Sequence, residues 1–329
     1  MRRGATVRDL AARTGLSIAT VSRALNGQAN VAEHTRQRVL EAAGRGGSRP
    51  AGGVVYLRCP YLLTDYFGLI VSSVAETAEL HGLHILLNAG KAAKDSDVLL
   101  SLPDEPGIDA AILILPPEPE SALENLRDRG FPFVVVDPRT PPPRDVAAVS
   151  AAHFAGARSL MTHLVELGHR RVAIIGGPRE WLVNDNRLAG YVAPLAEMGL
   201  LPAPELMRFV PEPSEEHGYR AACELLDVPD RPTAVVAFND KMAVGAARAA
   251  AERGLRIPED LSVAGFDDID VSRAMQPMLT TVRQPLAEMG RMAVSLLRRL
   301  LERHELDALH VELATELVVR GSTGPAPRR

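Results

Sequence analysis

Short apolar runs alternate with stretches of helical periodicity over most of the chain. The predicted strands are residues 54–58, 84–88, 110–115, 133–137, 171–175, 234–238, 262–266 and 312–320. The predicted helices are residues 67–81, 121–129, 155–167, 186–198, 216–226, 241–253 and 286–303. Nearly unbroken apolar strands that alternate with helices are typical of parallel sheets covered on both faces. The pattern therefore predicts an α/β body of two doubly wound parallel-sheet subdomains, with the chain returning to the first subdomain near 280–302.

The beginning of the chain follows a different pattern, with short amphipathic helices and no strands. Thr6 and Ser17 can each cap a short helix, and Gly15 allows a tight turn between the two helices. A third helix is predicted to follow, because Asn30 and Glu33 have the spacing of a capping box. Two short helices joined by a tight turn with glycine predict an all-α helix-turn-helix head.

Charge separates the head from the body. Residues 1–50 contain nine arginines and three carboxylates, a net charge of +6, whereas the remaining 279 residues contain 28 basic and 38 acidic side chains, a net charge of −10. A basic head on an acidic body is typical of a polyanion-binding module joined to another domain. A solvated pair of basic helices would carry the same charge, and the helix-turn-helix pattern is what favours the first interpretation.

Composition and missing motifs exclude several classes of protein. Hydrophobic residues make up 46% of the chain and charged residues 24%, as in a globular protein with a core. No apolar run approaches the roughly 18–20 residues of a membrane span, and no apolar region follows Arg2 and Arg3 as in a secretory signal. The two cysteines, Cys59 and Cys223, cannot form a disulfide framework or a zinc site by themselves. We therefore expect a cytoplasmic protein with no membrane partner.

Enzyme motifs are also missing from the chain. The sequence contains no GxxxxGK[ST], no GxGxxG after a strand, no GxSxG and no HExxH. The acidic cluster 267–270 could bind a divalent cation, but no second group of carboxylates supports catalysis. The sequence predicts no enzyme, no catalytic residue, no metal and no cofactor.

Residues 6–27, TVRDLAARTGLSIATVSRALNG, resemble the DNA-binding head of the lactose-repressor (LacI/GalR) family of bacterial transcriptional regulators. The body adds HLVELGHRRVAIIGGP (163–178), FNDKMAVGAARAAAERGLRIPEDLSVAGFDDID (238–270) and LTTVRQPLAEMG (279–290). The resemblance covers nearly the whole chain. It implies a helix-turn-helix head followed by a periplasmic-binding-protein-like effector domain, usually dimeric and sugar-binding.

The resemblance also sets the expected boundaries. These are a helix-turn-helix DNA-binding domain at 1–46, a short linker rich in glycine and proline at 47–53, and an effector-binding domain at 54–329. Within the effector-binding domain, the first subdomain is expected at about 54–148 and 281–308, and the second at about 149–280 and 309–321. In the family, the linker is normally longer and contains a hinge helix that places a leucine in the minor groove. The linker of this chain is too short for such a helix.

The candidate DNA-binding residues follow from the position of the second helix in this motif. Ile18 and Ala19 occupy early base-reading positions, and Arg23 can bind guanine O6 and N7. Two open alternatives are that Ser17 is only a helix cap and that Arg23 is solvated. Polar residues of the motif are interpreted as phosphate contacts. The full set is Thr6, Ser17, Ile18, Ala19, Thr20, Ser22, Arg23, Asn26 and Asn30.

The candidate effector-binding residues lie at the carboxyl ends of predicted strands, where ligands of parallel α/β sheets bind, or match positions that the resemblance implies. They are Tyr66, Phe67, Asp137, Arg187, Asn239, Asp240, Asp267 and Gln284. Alternatives remain open for several of them. Asn239 or Asp240 could only cap a helix, and Asp267 could belong to a solvated acidic turn. The single tryptophan, Trp181, could stack on a ligand ring or merely pack on the loop.

The resemblance implies a sequence-specific regulator, a repressor, whose binding to double-stranded operator DNA is controlled by a small molecule, most often a sugar. One helix-turn-helix reads only half of a pseudopalindrome, so a homodimer is expected. A transport-type binding protein would instead need a signal peptide and no basic head. The alternative is an effector-independent regulator with a decayed pocket. Ala151 and Ala152 stand where relatives often have an aromatic residue and an aspartate, and Pro213 replaces a possible stacking residue.

Overall fold

Three short helices form the first of the two compact units into which the chain divides, Met1–Gly53 and Val54–Arg329. The structure is a computed structural model, and it describes residues 6–25, 31–42, 53–94, 98–304, 306 and 308–327. The expected linker at 47–53 therefore lies almost entirely outside the described residues.

The head helices are α1 (Val7–Thr14), α2 (Ile18–Leu25) and α3 (Glu33–Ala42). Thr6 begins α1 with a capping box, in which its Oγ1 accepts from the backbone N of Asp9 and the Asp9 carboxylate accepts from the backbone N of Thr6. Gly15, with φ +67°, ends α1 in the left-handed region. The three helices enclose a small core of Leu10, Val21, Ala24, Val31 and Val39. These contacts confirm the all-α helix-turn-helix.

The second unit alternates strands and helices. Its strands are β1 (Val54–Cys59), β2 (His84–Ala89), β3 (Ala110–Ile114), β4 (Phe133–Val136), β5 (Ala147–Ala151), β6 (Val172–Gly176), β7 (Met207–Phe209), β8 (Ala234–Ala237), β9 (Ser262–Ala264), β10 (Thr281–Arg283), β11 (His310–Leu313) and β12 (Glu316–Val318). Its helices are α4 (Asp65–Leu80), α5 (Lys91–Lys94), α6 (Val98–Ser101), α7 (Glu120–Asp128), α8 (His153–Glu166), α9 (Leu182–Glu197), α10 (Glu215–Leu226), α11 (Asp240–Glu252), α12 (Val271–Ala274) and α13 (Leu286–Leu301). None of the helices that the structure describes is long and apolar enough to cross a membrane.

Two parallel sheets organise this unit. One has six strands in the order β11-β5-β4-β3-β1-β2, and the other has four in the order β7-β6-β8-β9. Alternate side chains pack on opposite faces. In the first sheet, Ile112 belongs to the cluster with α4 and α13, whereas Leu113 packs with α6 and α7. In the second sheet, Ile174 packs with α8 and α9, and Ile175 with α10 and α11. This arrangement confirms two doubly wound α/β subdomains.

The end of the chain departs from the prediction. The pattern predicted one strand over 312–320 and placed 309–321 in the second subdomain. Instead β11 pairs with β5 in the first sheet, with Val311 opposite Val149, and β12 pairs antiparallel with β10. Ala314 and Thr315 separate β11 from β12. The alternation of polar and apolar residues therefore continues through the point at which the chain moves from one neighbouring strand to another. Periodicity records burial, and it does not record which neighbour provides that burial.

Candidate functional site

The exposed side of α2 carries the residues that the sequence assigned to base contacts. Val21 and Ala24 are buried, whereas Ile18, Ala19 and Arg23 are exposed. The Oγ of Ser17 accepts from the backbone N of Thr20 at 3.1 Å, which confirms its capping role.

The remaining candidates of the head have varied surroundings. The Nε of Arg23 donates to the carbonyl of Ala19 at 3.2 Å, so its guanidinium rests on its own helix. Thr20 and Ser22 are half-buried, and Thr6 is exposed. Asn26 and Asn30 lie outside the described residues.

The body contains a cavity of about 690 Å³ where the carboxyl ends of strands from both sheets meet. Its walls include residues that follow β1, β4, β8 and β9. Six of the eight candidate effector residues line it: Tyr66, Phe67, Asp137, Arg187, Asn239 and Asp267. This is the position at which open parallel sheets bind ligands.

Asp137 is held ionised at one side of the cavity. Its Oδ1 lies 2.9 Å from Nε2 of His153, and its Oδ2 accepts from the hydroxyl of Tyr66 at 2.8 Å. Burial by itself raises the pKa of Asp137, but His153 and the two hydrogen bonds more than offset it, so the pKa is lowered. Burial lowers the pKa of His153. An ionised carboxylate can only accept, so Nε2 of His153 is the nitrogen that donates to Asp137.

Arg187 is paired with Asp267 and lies beside His153, the partner of Asp137. One of its amino groups donates to the carbonyl of Phe238, and the other lies 3.4 Å from Nδ1 of His153 and 3.7 Å from Oδ1 of Asp267. The guanidinium also lies over the ring of Phe266, with 3.7 Å between its central carbon and the ring centroid. The arginine is therefore fixed on several sides, and its charge is paired with Asp267.

Asp267 is the second carboxylate of the cavity, and its backbone adopts φ +117°. Burial raises its pKa to about 7, although Arg187 and a hydrogen bond from Gln284 act in the opposite direction. The Nε2 of Gln284 donates to Oδ1 of Asp267 at 2.7 Å. Near neutral pH this group can therefore accept or donate to a ligand hydroxyl.

Two candidates do not lie on the cavity wall. Asp240 is fully buried, and its carboxylate accepts from Oγ1 of Thr281 at 2.6 Å and from the backbone N of Ile269 at 2.9 Å. Gln284 lies behind Asp267 and orients it. Asn239 has both roles, because it lines the cavity while its Oδ1 accepts from the backbone N of Met242 and caps α11.

The acidic segment 267–270 is not a solvated turn. Asp268 is buried and accepts from Arg273, Arg283 and Arg320, and only Asp270 is exposed. Within the part of the chain that the structure describes, no group of three or more His, Cys, Asp or Glu side chains is placed to hold a metal ion.

Aromatic residues form much of the cavity, and the sequence reasoning missed two of them, Tyr61 and Phe238. The chain has only thirteen Phe, Trp and Tyr residues, and five of them line this one cavity: Tyr61, Tyr66, Phe67, Trp181 and Phe238. Tyr61 stacks on Phe67 with 4.5 Å between centroids, and Trp181 meets Tyr61 and Phe238 edge-on. Tyr61 and Arg139 were missed, although each lies within three residues of the end of a predicted strand. That position was the available signal.

Known proteins match both parts of the chain. Residues 6–47 match the family described as bacterial regulatory proteins, lacI family, and residues 161–323 match the periplasmic binding protein-like domain. The transcriptional repressor CytR of Escherichia coli K12 is 32% identical over 335 residues, which cover 98% of this chain and 97% of CytR.

Solved structures agree with this assignment. The complex of the transcriptional regulator CelR with cellobiose superimposes with a TM-score of 0.75 and 29% identity, covering 96% of this chain and 99% of that one. The lac repressor dimer bound to operator and the anti-inducer ONPF gives a TM-score of 0.74 and 26% identity, covering 98% and 100%. Together with the match to CytR over almost its full length, these similarities show a regulator and not an enzyme: the chain belongs to the LacI family of bacterial regulatory proteins.

Proposed function

We propose that this transcriptional regulator is a cytoplasmic, homodimeric repressor of a pseudopalindromic operator, and that a small sugar in the body's cavity controls its binding to DNA. The observation that carries the proposal is the cavity itself. It combines aromatic faces with two carboxylates and a fixed arginine, and these groups suit the apolar face and the hydroxyls of a sugar ring.

Each part of the proposed ligand has a matching group. Tyr66 and Asp137 are already hydrogen-bonded to each other, so they form a preorganised edge. Asp267 and Arg187 form a second edge at 3.7 Å from one another. Preorganised groups lose little entropy on binding, which favours a specific ligand. The relative CelR has been solved with cellobiose, and this supports the same class of ligand.

An effector-independent regulator is the competing interpretation, and the cavity weighs against it. Ala151 is buried in β5 and Ala152 precedes α8, and neither is on the cavity wall. Of the three departures from the family pattern, only Pro213 lines the cavity. A decayed pocket would not be expected to keep a buried arginine paired with a buried aspartate, since buried charges are costly to maintain.

The proposal predicts separate effects on ligand and DNA binding for Arg187→Ala and Asp267→Ala. Each variant should retain operator affinity within about threefold and lose the response to sugar. Removing one partner of a buried charged contact costs roughly 2–5 kcal/mol, or about 30-fold or more in ligand affinity. The measurement is fluorescence anisotropy with an operator selected from random DNA, with cellobiose, ribose and other sugars as probes.

Arg158→Ala is the matched control, because Arg158 is an exposed arginine on α8 paired with Glu197. It should leave both properties unchanged. Thermal melts exclude variants that do not fold. An unchanged sugar response in both pocket variants, or operator binding that no sugar alters in the wild type, would refute sugar control through this site.

A further inference from the structure

Arg139 occupies an unusual position on the cavity wall. It lies two residues beyond Asp137, just after β4, and one of its amino groups donates to the hydroxyl of Tyr61. Its central carbon lies 5.5 Å from the centroid of the Tyr61 ring and 5.0 Å from that of Trp181. Its Nε is buried and has no hydrogen-bond partner among the residues that the structure describes. The guanidinium is thus fixed by aromatic groups and left with an unused donor.

No described carboxylate neutralises this charge at close range. Arg187, the other arginine of the cavity, lies 3.7 Å from Asp267, whereas no described carboxylate oxygen lies within 4.0 Å of Arg139. Burial lowers the pKa of Arg139, and the exposed Glu180 counteracts this only in part. A half-buried cation without a counterion is costly unless an anion arrives to pair with it.

A second cation lies on the same wall. Lys91 begins α5 and lines the cavity, and the preceding residue, Gly90, donates its backbone N to the carbonyl of Tyr61 at 3.1 Å. Tyr61 therefore contacts Arg139 through its hydroxyl and the segment carrying Lys91 through its carbonyl.

The other charges of the wall leave a cationic surplus. Lys241 is already paired with Asp65 at 3.5 Å. Glu212 lines the cavity and is the one carboxylate there, within the described chain, that is not engaged with Arg187 or His153. The two positive charges of Arg139 and Lys91 therefore exceed the one negative charge of Glu212.

We infer that the effector carries an anionic group, a phosphate or a carboxylate on its ring, and that Arg139 binds this group beside Trp181 with Lys91 adding positive charge. A guanidinium pairs with either group through two parallel N–H···O bonds. The aromatic residues remain available for the face of the ring. The inference rests on the proposed function, because it specifies the class of ligand for the same cavity.

Trp181 supplies the measurement, since it is the only tryptophan of the chain and lies beside Arg139. The wild-type protein is titrated at constant ionic strength with matched probes, and Trp181 fluorescence is recorded. The probes are ribose against ribose 5-phosphate, glucose against glucose 6-phosphate and glucuronate, and inorganic phosphate. At least one anionic probe should bind ten or more times tighter than its neutral partner. The comparison of glucose 6-phosphate with glucuronate separates phosphate from carboxylate.

Variants assign the preference to Arg139. Arg139→Gln should reduce it to less than threefold while neutral probes keep their affinity, and Arg139→Lys should retain part of it. Arg179→Gln is the matched control, because Arg179 is an exposed arginine over the ring of Phe209 and is not part of the cavity wall. It should preserve the full preference.

Several results would overturn the inference. These are equal affinity for the members of every pair, a preference that survives in Arg139→Gln, or no fluorescence response to any anionic probe. A preference for anionic probes that depends on Arg139 but leaves operator affinity unchanged would support the anion site and overturn the claim that its ligand is the effector, which is the part that rests on the proposed function. A neutral sugar that changes operator affinity through Arg187, while no anionic probe binds more tightly than its neutral partner, would support the proposed function and overturn this inference.

Discussion

Neighbouring aspartates in this body have different surroundings, and so their charges serve different purposes. Asp267 faces the cavity, whereas Asp268 is enclosed by arginines, and both have positive φ. Aspartate tolerates the left-handed region better than most residues. The two adjacent residues can therefore direct one carboxylate into the cavity and the other into the packing of the second subdomain.

Asp240 predicts stability that falls as the pH rises. Burial and the nearby Asp267 raise the pKa of Asp240 well above 3.8. Between about pH 4 and that raised pKa, the folded chain keeps a proton that the unfolded chain has lost. The stabilisation is complete below about pH 4 and decreases by up to about 1.4 kcal/mol per pH unit as the pH rises. Asp240→Asn still offers an acceptor to Ile269 and a donor to Thr281, but its amide does not titrate. Its melting temperature should therefore decrease less than that of the wild type between pH 5 and 8.

Asp260→Asn provides the control for this measurement. Hydrogen bonds from Arg256 lower the pKa of Asp260 to about 2 in the wild type. The stabilising effect of the ionised Asp260 is therefore lost only as the pH falls below about 4. From pH 5 to 8 this variant should differ from the wild type by a constant offset. Wild-type and Asp240→Asn melting curves that run parallel over the same range would contradict the role given to Asp240.

The sequence correctly predicted that several candidate residues lie on the cavity. It could not distinguish them from similar residues that are buried elsewhere. Asp137 and Asp267 follow apolar strands, and the structure places both on the cavity. Asp240 follows a strand in the same way, but Thr281, forty-one positions further along, covers it. Burial of that kind depends on tertiary packing, which no local pattern reports. Arg139 was missed because a loop residue has no periodicity to indicate which way it faces.

At the scale of elements, the alternation of strands and helices was sufficient to predict the fold class, but it did not predict three short strands. β5, β7 and β10 were not predicted. β7 and β10 contain only three residues each, too few for periodicity to be seen. β5 follows a proline-rich loop and contains alanine and serine, which are weak strand formers. Strands of this kind form because a neighbouring strand is already in place.

The linker between head and body leads to a prediction about DNA shape. Residues 47–53, GSRPAGG, include three glycines, one proline and no large apolar side chain. Such a segment is too short for a stable helix and has no side chain to insert between base pairs. We therefore expect operator binding without a sharp central kink, with effector control acting on the spacing of the two heads. Substitution of the central base-pair step should change affinity by less than about threefold, and a circular-permutation assay should show little bending.

A tenfold loss of affinity at the central step, together with a sharp bend, would show that the linker does insert. The control is substitution of a step inside one half-site. A base pair that is read directly costs about 1–3 kcal/mol when it is changed, so this control should weaken binding at least several-fold.

At the scale of the whole molecule, the open edge of the six-stranded sheet supports the proposed homodimer. Among the described strands β2 pairs with β1 alone, and its Leu86 and Leu87 are 49% and 43% exposed. Leu80, at the end of α4 just before this strand, is 84% exposed. An open edge strand can pair with another chain, and exposed apolar patches beside it often mark a protein–protein interface.

The double variant Leu80→Glu, Leu86→Glu should therefore shift the protein from dimer to monomer at micromolar concentration in sedimentation velocity. Operator affinity should fall at least tenfold, because a single head reads one half-site. Leu201→Glu changes a similarly exposed leucine of the second subdomain and should leave both properties intact. A double variant that still sediments as a dimer would place the interface elsewhere.

The late position of β11 in the chain affects how the protein can be synthesised. The head has its own small core and can fold as soon as it emerges from the ribosome. The six-stranded sheet, in contrast, lacks its edge beside β5 until residues 310–313 are made. The second subdomain waits longer still, because Ser322 binds the carbonyl of Val263 and Gly324 binds His169. A ribosome translating this message therefore carries a folded DNA-binding head on a body whose two sheets still lack their contacts with residues 310–324.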